Sequence, residues 1–553
     1  MKKVNVLILL CAATINLFAW DGNGTIGNPY KVSSPQDLID LSNAEESFEG
    51  VYFQQTQNID MQAYQSFTAI GAEHLKGFKG SYDGQNFEIK NLRVTDGFLG
   101  SNIALFGYLR DGAEISNVRI TGNSIMEGES SIGSIAGECQ GTVTIQNCSS
   151  SATIVAEGGS VGGIVGSGSI VKNCTFTGSV TVDYEYANNT GGIAGSVSKM
   201  IVFCNNYGAV TGTDRVGGIC GILPAGGEMS DCYNSGSVTG VGDNVGGVAG
   251  YVSSGLTYDA FLTRCHNSGN VKGDNSVGGV AGYAVKAENS GNTGNVEGKG
   301  EYVGGVVGQG RVSLSYNRGD VTGDTYVGGV SGNLKEMDNC YNAGNVSGND
   351  YVGGIFGAAT TTDCTLSNSY NAGAVSATGT AVGGIGGYVK TGGLINSNFI
   401  QNAYWNIDMY AGPGMGNESE LSEEQFVFFP KTSAELRDNF SATLGIAVWK
   451  EDDLNINNGY PILRDEVNVS IEDYPSTLSN VNVYSYGNQI RITNETQIEI
   501  KQVEVFDISG RSIYQKTPTQ SVETITLNVA TGMYFVRLSS GRESKAYKVV
   551  LTR

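Results

Sequence analysis

Histidine is nearly missing: His74 and His266 are the only two among 553 residues. That scarcity leaves little room for histidine-centred triads. HExxH, GxxxxGK[ST] and CxxC are all absent, so nothing supports a zincin site, a phosphate loop or a zinc ribbon. Proline is scarce, at 8 residues, and no Gly-X-Y period runs through the chain, which excludes collagen. Charged residues make up only 16%, against a usual share of about 25%. Positive charge is in deficit, the formal net charge being -21. An acidic body repels phosphate backbones, so nucleic acid is disfavoured as a partner, and the plainer role of the charge is solubility. Beyond the N-terminus no stretch reaches the roughly 18 consecutive apolar residues of a membrane span.

Glycine is abundant, at 81 residues, beside 28 Tyr and 19 Phe. With many Val and Ile, that is enough apolar surface to rule against ordinary disorder, and it suits an all-β structure. The N-terminus has a basic start at Lys2 and Lys3, an apolar run from Val4 to Leu17 and a small residue at Ala19. Residues 1–19 read as a secretory signal peptide. Cys11 sits mid-run behind the bulky Leu10, which argues against lipid attachment there. The acidity is uneven. Residues 403–475 carry 14 acidic and 4 basic side chains, whereas residues 476–553 carry 6 acidic and 9 basic.

A six-residue phrase recurs every 24 to 32 residues, from Ile132 (IGSIAG) through Val303 (VGGVVG) and Val327 (VGGVSG) to Val382 (VGGIGG). Periods of this length mean stacked units that cannot bury an apolar face alone. Between the phrases run further columns. Anchors such as Val296, Val321 and Val346 are preceded six residues earlier by Cys or Ser, as in Cys148, Cys174, Cys204, Cys232, Cys265, Ser290, Ser315, Cys340 and Ser369. Four residues before the anchor stand Asn206, Asn234, Asn267, Asn292, Asn317, Asn342 and Asn371, in seven consecutive repeats. In a β-solenoid, equivalent residues stack about 4.8 Å apart. Stacked asparagines then form a structural ladder, amide to carbonyl.

These spaced glycines recur ten times outside any βαβ pattern, so they read as structural turns rather than a nucleotide loop. The RTX calcium phrase is absent too. Asp214, Asp243, Asp274, Asp324 and Asp350 read as turn formers, with calcium (Ca2+) the lesser alternative and no other cofactor or metal expected. Nine cysteines remain after the signal peptide; the column cysteines read as small buried packing residues, and an exported chain could oxidise some neighbours.

The VGGxxG phrase followed by [CS]-Y-N-x-G-x-V resembles the GLUG motif repeat of bacterial surface proteins over residues 132–387. Gly24–Tyr30, Phe78–Asn86, Ala403–Asn406 and Asn458–Leu463 are similar to the opening and closing phrases of that family. The resemblance implies an adhesin-like β-solenoid. Residues 480–553, ending in GMYFVRL and KVVL, resemble the C-terminal sorting domain of type IX secretion substrates. That implies a partner in the type IX secretion machinery, removal of the domain on export, and a secreted or outer cell-surface location in a Gram-negative bacterium.

The expected fold class is all-β: a Gly-rich parallel β-solenoid of about ten repeats with short helical caps, followed by a small β-sandwich. The expected divisions are 1–19 signal peptide, 20–131 N-terminal cap and entry coils, 132–402 repeats, 403–475 acidic closing segment and linker, and 476–553 sorting domain. Ser34-Pro35 and Thr432–Glu435 carry helix-capping patterns at either end. The expected function is non-enzymatic, binding a glycan or a host or matrix protein. The alternatives are a polysaccharide-degrading β-helix enzyme and a passive stalk with no ligand. Tyr302, Tyr326 and Tyr351, together with Tyr316, Tyr341 and Tyr370, form the candidate ligand face, because alternation next to inward positions turns their rings outward. The bland reading is that Tyr simply favours strands.

Overall fold

The computed structural model describes residues 20–95, 100–390, 399–417, 421, 425–466, 481–486, 488–494, 500–507, 512–517, 522–527, 529, 532–539 and 544–551. Residues 1–19, expected to be a signal peptide, lie outside this range. The chain divides into two compact units, residues 1–466 and 467–553. The sequence-based boundary at 475/476 falls among residues 467–480, also outside the described range.

The first unit is a parallel β-solenoid. Each coil repeats the same short strands, and successive coils pair in parallel, in register along the valine columns. Val277, Val303, Val327, Val352 and Val382 align in one sheet of 9 strands. Val271, Val296, Val321, Val346 and Val375 align in a second of 11 strands. A third, of 32 strands, forms the remaining walls. The inward valines of all three share one apolar core and are buried, except Val382 near the end, which is partly buried.

Two corners of each coil take left-handed backbone. One precedes the Cys/Ser column: Asn147, Asn173, Asn289, Asn339 and Asn368 hold it in five coils and Phe203, Asp231, Arg264 and Leu314 in four others, all with φ between 48° and 56°. Asn is among the few L-residues that tolerate this region. The next residue then locks the corner. The thiol of Cys174 donates to the carbonyl of Lys172 at 3.3 Å, and the hydroxyl of Ser315 donates to the carbonyl of Ser313 at 2.7 Å. Both are the same bond, from a short side chain to the carbonyl two residues back. This explains why the column accepts Cys or Ser.

Helix α1 (Pro35–Ser42) closes the N-terminal end. Ser34 and Asp37 form its capping box, and Leu38 and Leu41 are buried in the solenoid core. At the other end the ladder runs on past residue 402, through Phe399–Asn406 to Phe426–Lys431. Helices α2 (Ser433–Arg437) and α3 (Ser441–Leu444) follow, α2 starting at a Thr432–Glu435 capping box. From there the chain folds back along the outer surface of the last coils. Within the stretch expected to be a closing segment and linker, the described residues 403–406 and 426–431 are solenoid wall and residues 433–466 a packed strap.

The second unit has two antiparallel sheets. One joins Val481–Tyr486, Gln489–Asn494 and Val522–Thr526; the other joins Ser512–Lys516, Gln502–Asp507, Gly532–Ser539 and Ser544–Leu551. Tyr534, Val536 and Leu538 turn inward and Phe535 and Arg537 outward, the period-2 pattern of a strand with one buried face. Val505, Val536 and Ile490 share a single core.

Candidate functional site

The Asn column lies inside the solenoid. Asn206, Asn234, Asn267, Asn292, Asn317, Asn342 and Asn371 are all buried. Each of the first six donates from Nδ2 to Oδ1 of the next at 2.8 Å. All six bonds run the same way along the axis. The room for these side chains comes from the second Gly of the repeated phrase: a Cβ on Gly305 would stand 2.3 Å from the Asn317 carboxamide. Phe176 and Trp405 occupy the same column just before and just after the seven asparagines.

The second left-handed corner lies immediately before the repeated VGG phrase, one residue ahead of the double Gly. Asn189, Arg215, Asn244 and Ser276 occupy it in earlier coils, and Tyr302, Tyr326 and Tyr351 in three later ones, with φ of 65°, 58° and 56°. A left-handed L-residue costs about 1–2 kcal/mol, and a bulky side chain is rare there. The three half-exposed rings stack. Tyr302 and Tyr326 lie 5.1 Å apart with planes 11° from parallel, Tyr326 and Tyr351 4.9 Å apart at 20°. Tyr388 adds an edge against Tyr351 at 5.5 Å. Four and three coils before Tyr351, Tyr251 and Tyr283 stack at 4.7 Å and 13°, with the Arg215 guanidinium over Tyr251. Tyr251, Tyr283 and Tyr388 escaped the sequence reading, although each stands one place after the repeated phrase (VGGVAGY, VGGVAGY, VGGIGGY).

Tyr316, Tyr341 and Tyr370 require a correction. They do form a stacked column, with centroids 5.3–5.5 Å apart and planes within 12°, but all three are buried at 2% exposure or less. Their rings do point out from the coil wall, where the strap covers them. Trp449 packs against Tyr341 and Tyr370, and Phe440 meets Tyr370 edge-on. Tyr370 donates its hydroxyl to the Pro461 carbonyl at 2.5 Å, and Trp449 donates Nε1–H to Asn339 at 3.0 Å. Arg318 pairs with Glu466, whose fully enclosed carboxylate also accepts from the Tyr341 hydroxyl at 3.0 Å. This column belongs to the interior of the unit and offers no ligand face.

His266 sits in the same column, two coils before Tyr316. Neither ring nitrogen has a hydrogen-bond partner among the described residues. Burial, with a smaller push from the Arg318 charge, lowers its imidazole to about 4. The stacked cysteines Cys148, Cys174, Cys204, Cys232, Cys265 and Cys340 are buried thiols, and burial pushes Cys204 and Cys232 well up, so both stay protonated. Of the aspartates, Asp214 accepts the Asp243 backbone N–H at 2.7 Å and Asp243 accepts from the Asn275 amide at 3.0 Å, linking adjacent coils. No group of three or more His, Cys, Asp or Glu is gathered as a metal site among the described residues. Nor is any described helix long and apolar enough to cross a membrane.

Residues 469–551, nearly the whole second unit, match a family described as a domain of unknown function (DUF8694). A stretch of 188 residues, 32% of the chain, is 29% identical to halomucin from Haloquadratum walsbyi and spans only 2% of that protein's length. A crystal structure of a candidate immunoglobulin A1 protease from Bacteroides ovatus aligns over 80% of this chain and 94% of its own, at 17% identity and a TM-score of 0.31.

Proposed function

We propose that this chain is a secreted, cell-surface binding protein of a Gram-negative bacterium, holding a neutral glycan or a basic segment of a host or matrix protein along the Tyr302–Tyr326–Tyr351 track. One observation carries the reading: three bulky aromatic rings in consecutive coils occupy left-handed corners where earlier coils place Asn, Ser or, once, Arg. Strain kept in three neighbouring repeats, at a half-exposed surface, points to use of the rings rather than to folding. A fixed stack on a rigid wall loses little entropy on binding, and each ring offers a face to a sugar or a side chain. Acidic residues beside the track, Glu301 and Asp350, favour neutral or basic partners over polyanions. The activity proposed is binding and not catalysis.

Changing all three tyrosines to Asn, the residue at the same corner in Asn189 and Asn244, relieves backbone strain while removing the rings. A glycan and matrix-protein array on the mature chain identifies the partner; titration with that partner is expected to fail for the triple variant although its thermal midpoint is no lower than that of the wild type. Unaltered affinity removes this face, and an array without hits favours the passive stalk.

The second unit is proposed to be the type IX sorting domain, supported by its resemblance to such domains and by its independent core. Mass spectrometry of surface-shaved cells should find mature protein lacking both residues 1–19 and the C-terminal unit; an intact C-terminus on the surface refutes this.

A further inference from the structure

A recess of 240 Å³ opens beside Tyr283, lined also by Ser254, Asp259, Gly310, Arg311 and Lys335. It lies where the coil register shifts, between Ala284 and Ala287 in one coil and between Gly310 and Arg311 in the next. Irregularities of this kind re-aim side chains and are frequent beside sites. One wall is the loop between Ser253 and Ala260, closed by a backbone hydrogen bond from Ala260 to Ser253 at 2.9 Å. Its tip exposes Leu256 and Tyr258. Tyr283 also lines it, its ring fixed by the stack on Tyr251.

Charge distinguishes this recess from the rest of an acidic protein. Two cations line it, Arg311 and Lys335, against a single carboxylate, Asp259, which already accepts the Gly255 N–H at 3.1 Å. Arg311 is steadied by Glu336 of the next coil at 3.3 Å, and a guanidinium has five N–H donors, so one ion pair does not exhaust it. A volume of 240 Å³ falls below the roughly 300 Å³ at which drug-sized pockets begin, which suits one ring and not a chain segment. An aromatic wall takes the apolar face of a pyranose; Ser254 supplies a hydroxyl for its polar edge; Arg311 and Lys335 call for an anion.

We propose that this recess is a subsite for a single carboxylate-bearing sugar, a uronate, stacked on Tyr283 with its carboxylate on Arg311 and Lys335. The inference does not rest on the Tyr302 track, whose preferred partners are neutral or basic. The test is calorimetric titration of the full mature chain with trigalacturonate and with neutral galactotriose. Trigalacturonate should bind saturably, at least about tenfold tighter than galactotriose, and should weaken as salt screens the charges. Arg311→Gln with Lys335→Gln should weaken it at least about tenfold, and Tyr283→Ala comparably. These side chains lie at the surface, so the thermal midpoint should hold; Lys335→Gln alone provides a milder variant if the double one does not fold. The Tyr302, Tyr326, Tyr351 triple variant should bind trigalacturonate normally, which separates this site from the track. The proposal is overturned if wild type does not bind trigalacturonate, if the neutral trimer binds equally well, if acetate competes as effectively, or if the double variant or Lys335→Gln leaves affinity unchanged.

Discussion

Asn317 satisfies all four hydrogen-bonding valences of its carboxamide. It donates to the Gly319 carbonyl at 2.7 Å and to Asn342 at 2.8 Å, and accepts from the Gly319 N–H at 3.2 Å and from Asn292 at 2.8 Å. Replacement by Ala strips partners from both neighbours in a dry interior, which should cost about 1–3 kcal/mol. Asn123 is exposed and outside the column, so Asn123→Ala should change stability by no more than about 0.5 kcal/mol. Urea midpoints of the two variants compare them directly, and equal midpoints would discount the ladder. His266 gives a pH dependence. Its folded value near 4 lies below the ordinary 6.5, so on acidification the unfolded chain takes up the proton first. Stability is fully present above about pH 6.5 and falls as pH drops toward 4, by up to about 3 kcal/mol at roughly 1.4 kcal/mol per unit. His266→Asn should flatten the fall in thermal midpoint between pH 7 and pH 4.5; an unchanged slope would assign acid sensitivity to other groups.

The strap is the element whose role differs most from its sequence signature. Residues 433–466 read as part of an acidic closing segment and linker, yet Leu436, Phe440, Leu444, Trp449 and Leu463 form a second apolar cluster with Tyr316, Tyr341 and Tyr370. The contact is sealed at its far end by Glu466 between Arg318 and Tyr341. Removing one partner of an enclosed ion pair costs about 3–5 kcal/mol, because the other charge remains buried. Glu466→Gln should therefore loosen the strap by about 3 kcal/mol without unwinding the coils. Hydrogen exchange should quicken across 433–463 while Val303 and Val327 stay protected; uniform protection would show that the strap is held by its apolar side chains alone.

Across the whole chain, what repeats was legible and what occurs once was not. The Asn, Cys/Ser and Val columns were readable because each is written into consecutive coils and each has a reason in the strand pleat. The fate of Tyr316, Tyr341 and Tyr370 was hidden because it depends on a single return of the chain, from Glu466 to Arg318, that no periodicity announces. Tyr251, Tyr283 and Tyr388 were visible only as letters, since nothing in one coil says that its neighbour holds a ring directly above. The recess beside Tyr283 depends on register shifts, which leave no mark in composition.

The uniform direction of the Asn ladder has one more implication. Asn292 and Asn317 stand 25 residues apart, as do Asn317 and Asn342. Excising residues 293–317 therefore brings Asn292 onto Asn342 with every donor still facing an acceptor, and nearest-neighbour stacks tolerate the loss of one unit. The excised chain should fold cooperatively with a ladder one rung shorter, and loss of its folded circular dichroism would refute this. Length in such a molecule is thus an adjustable trait: a gene that copies or drops one coil changes the length of the solenoid while leaving the rules of its interior untouched.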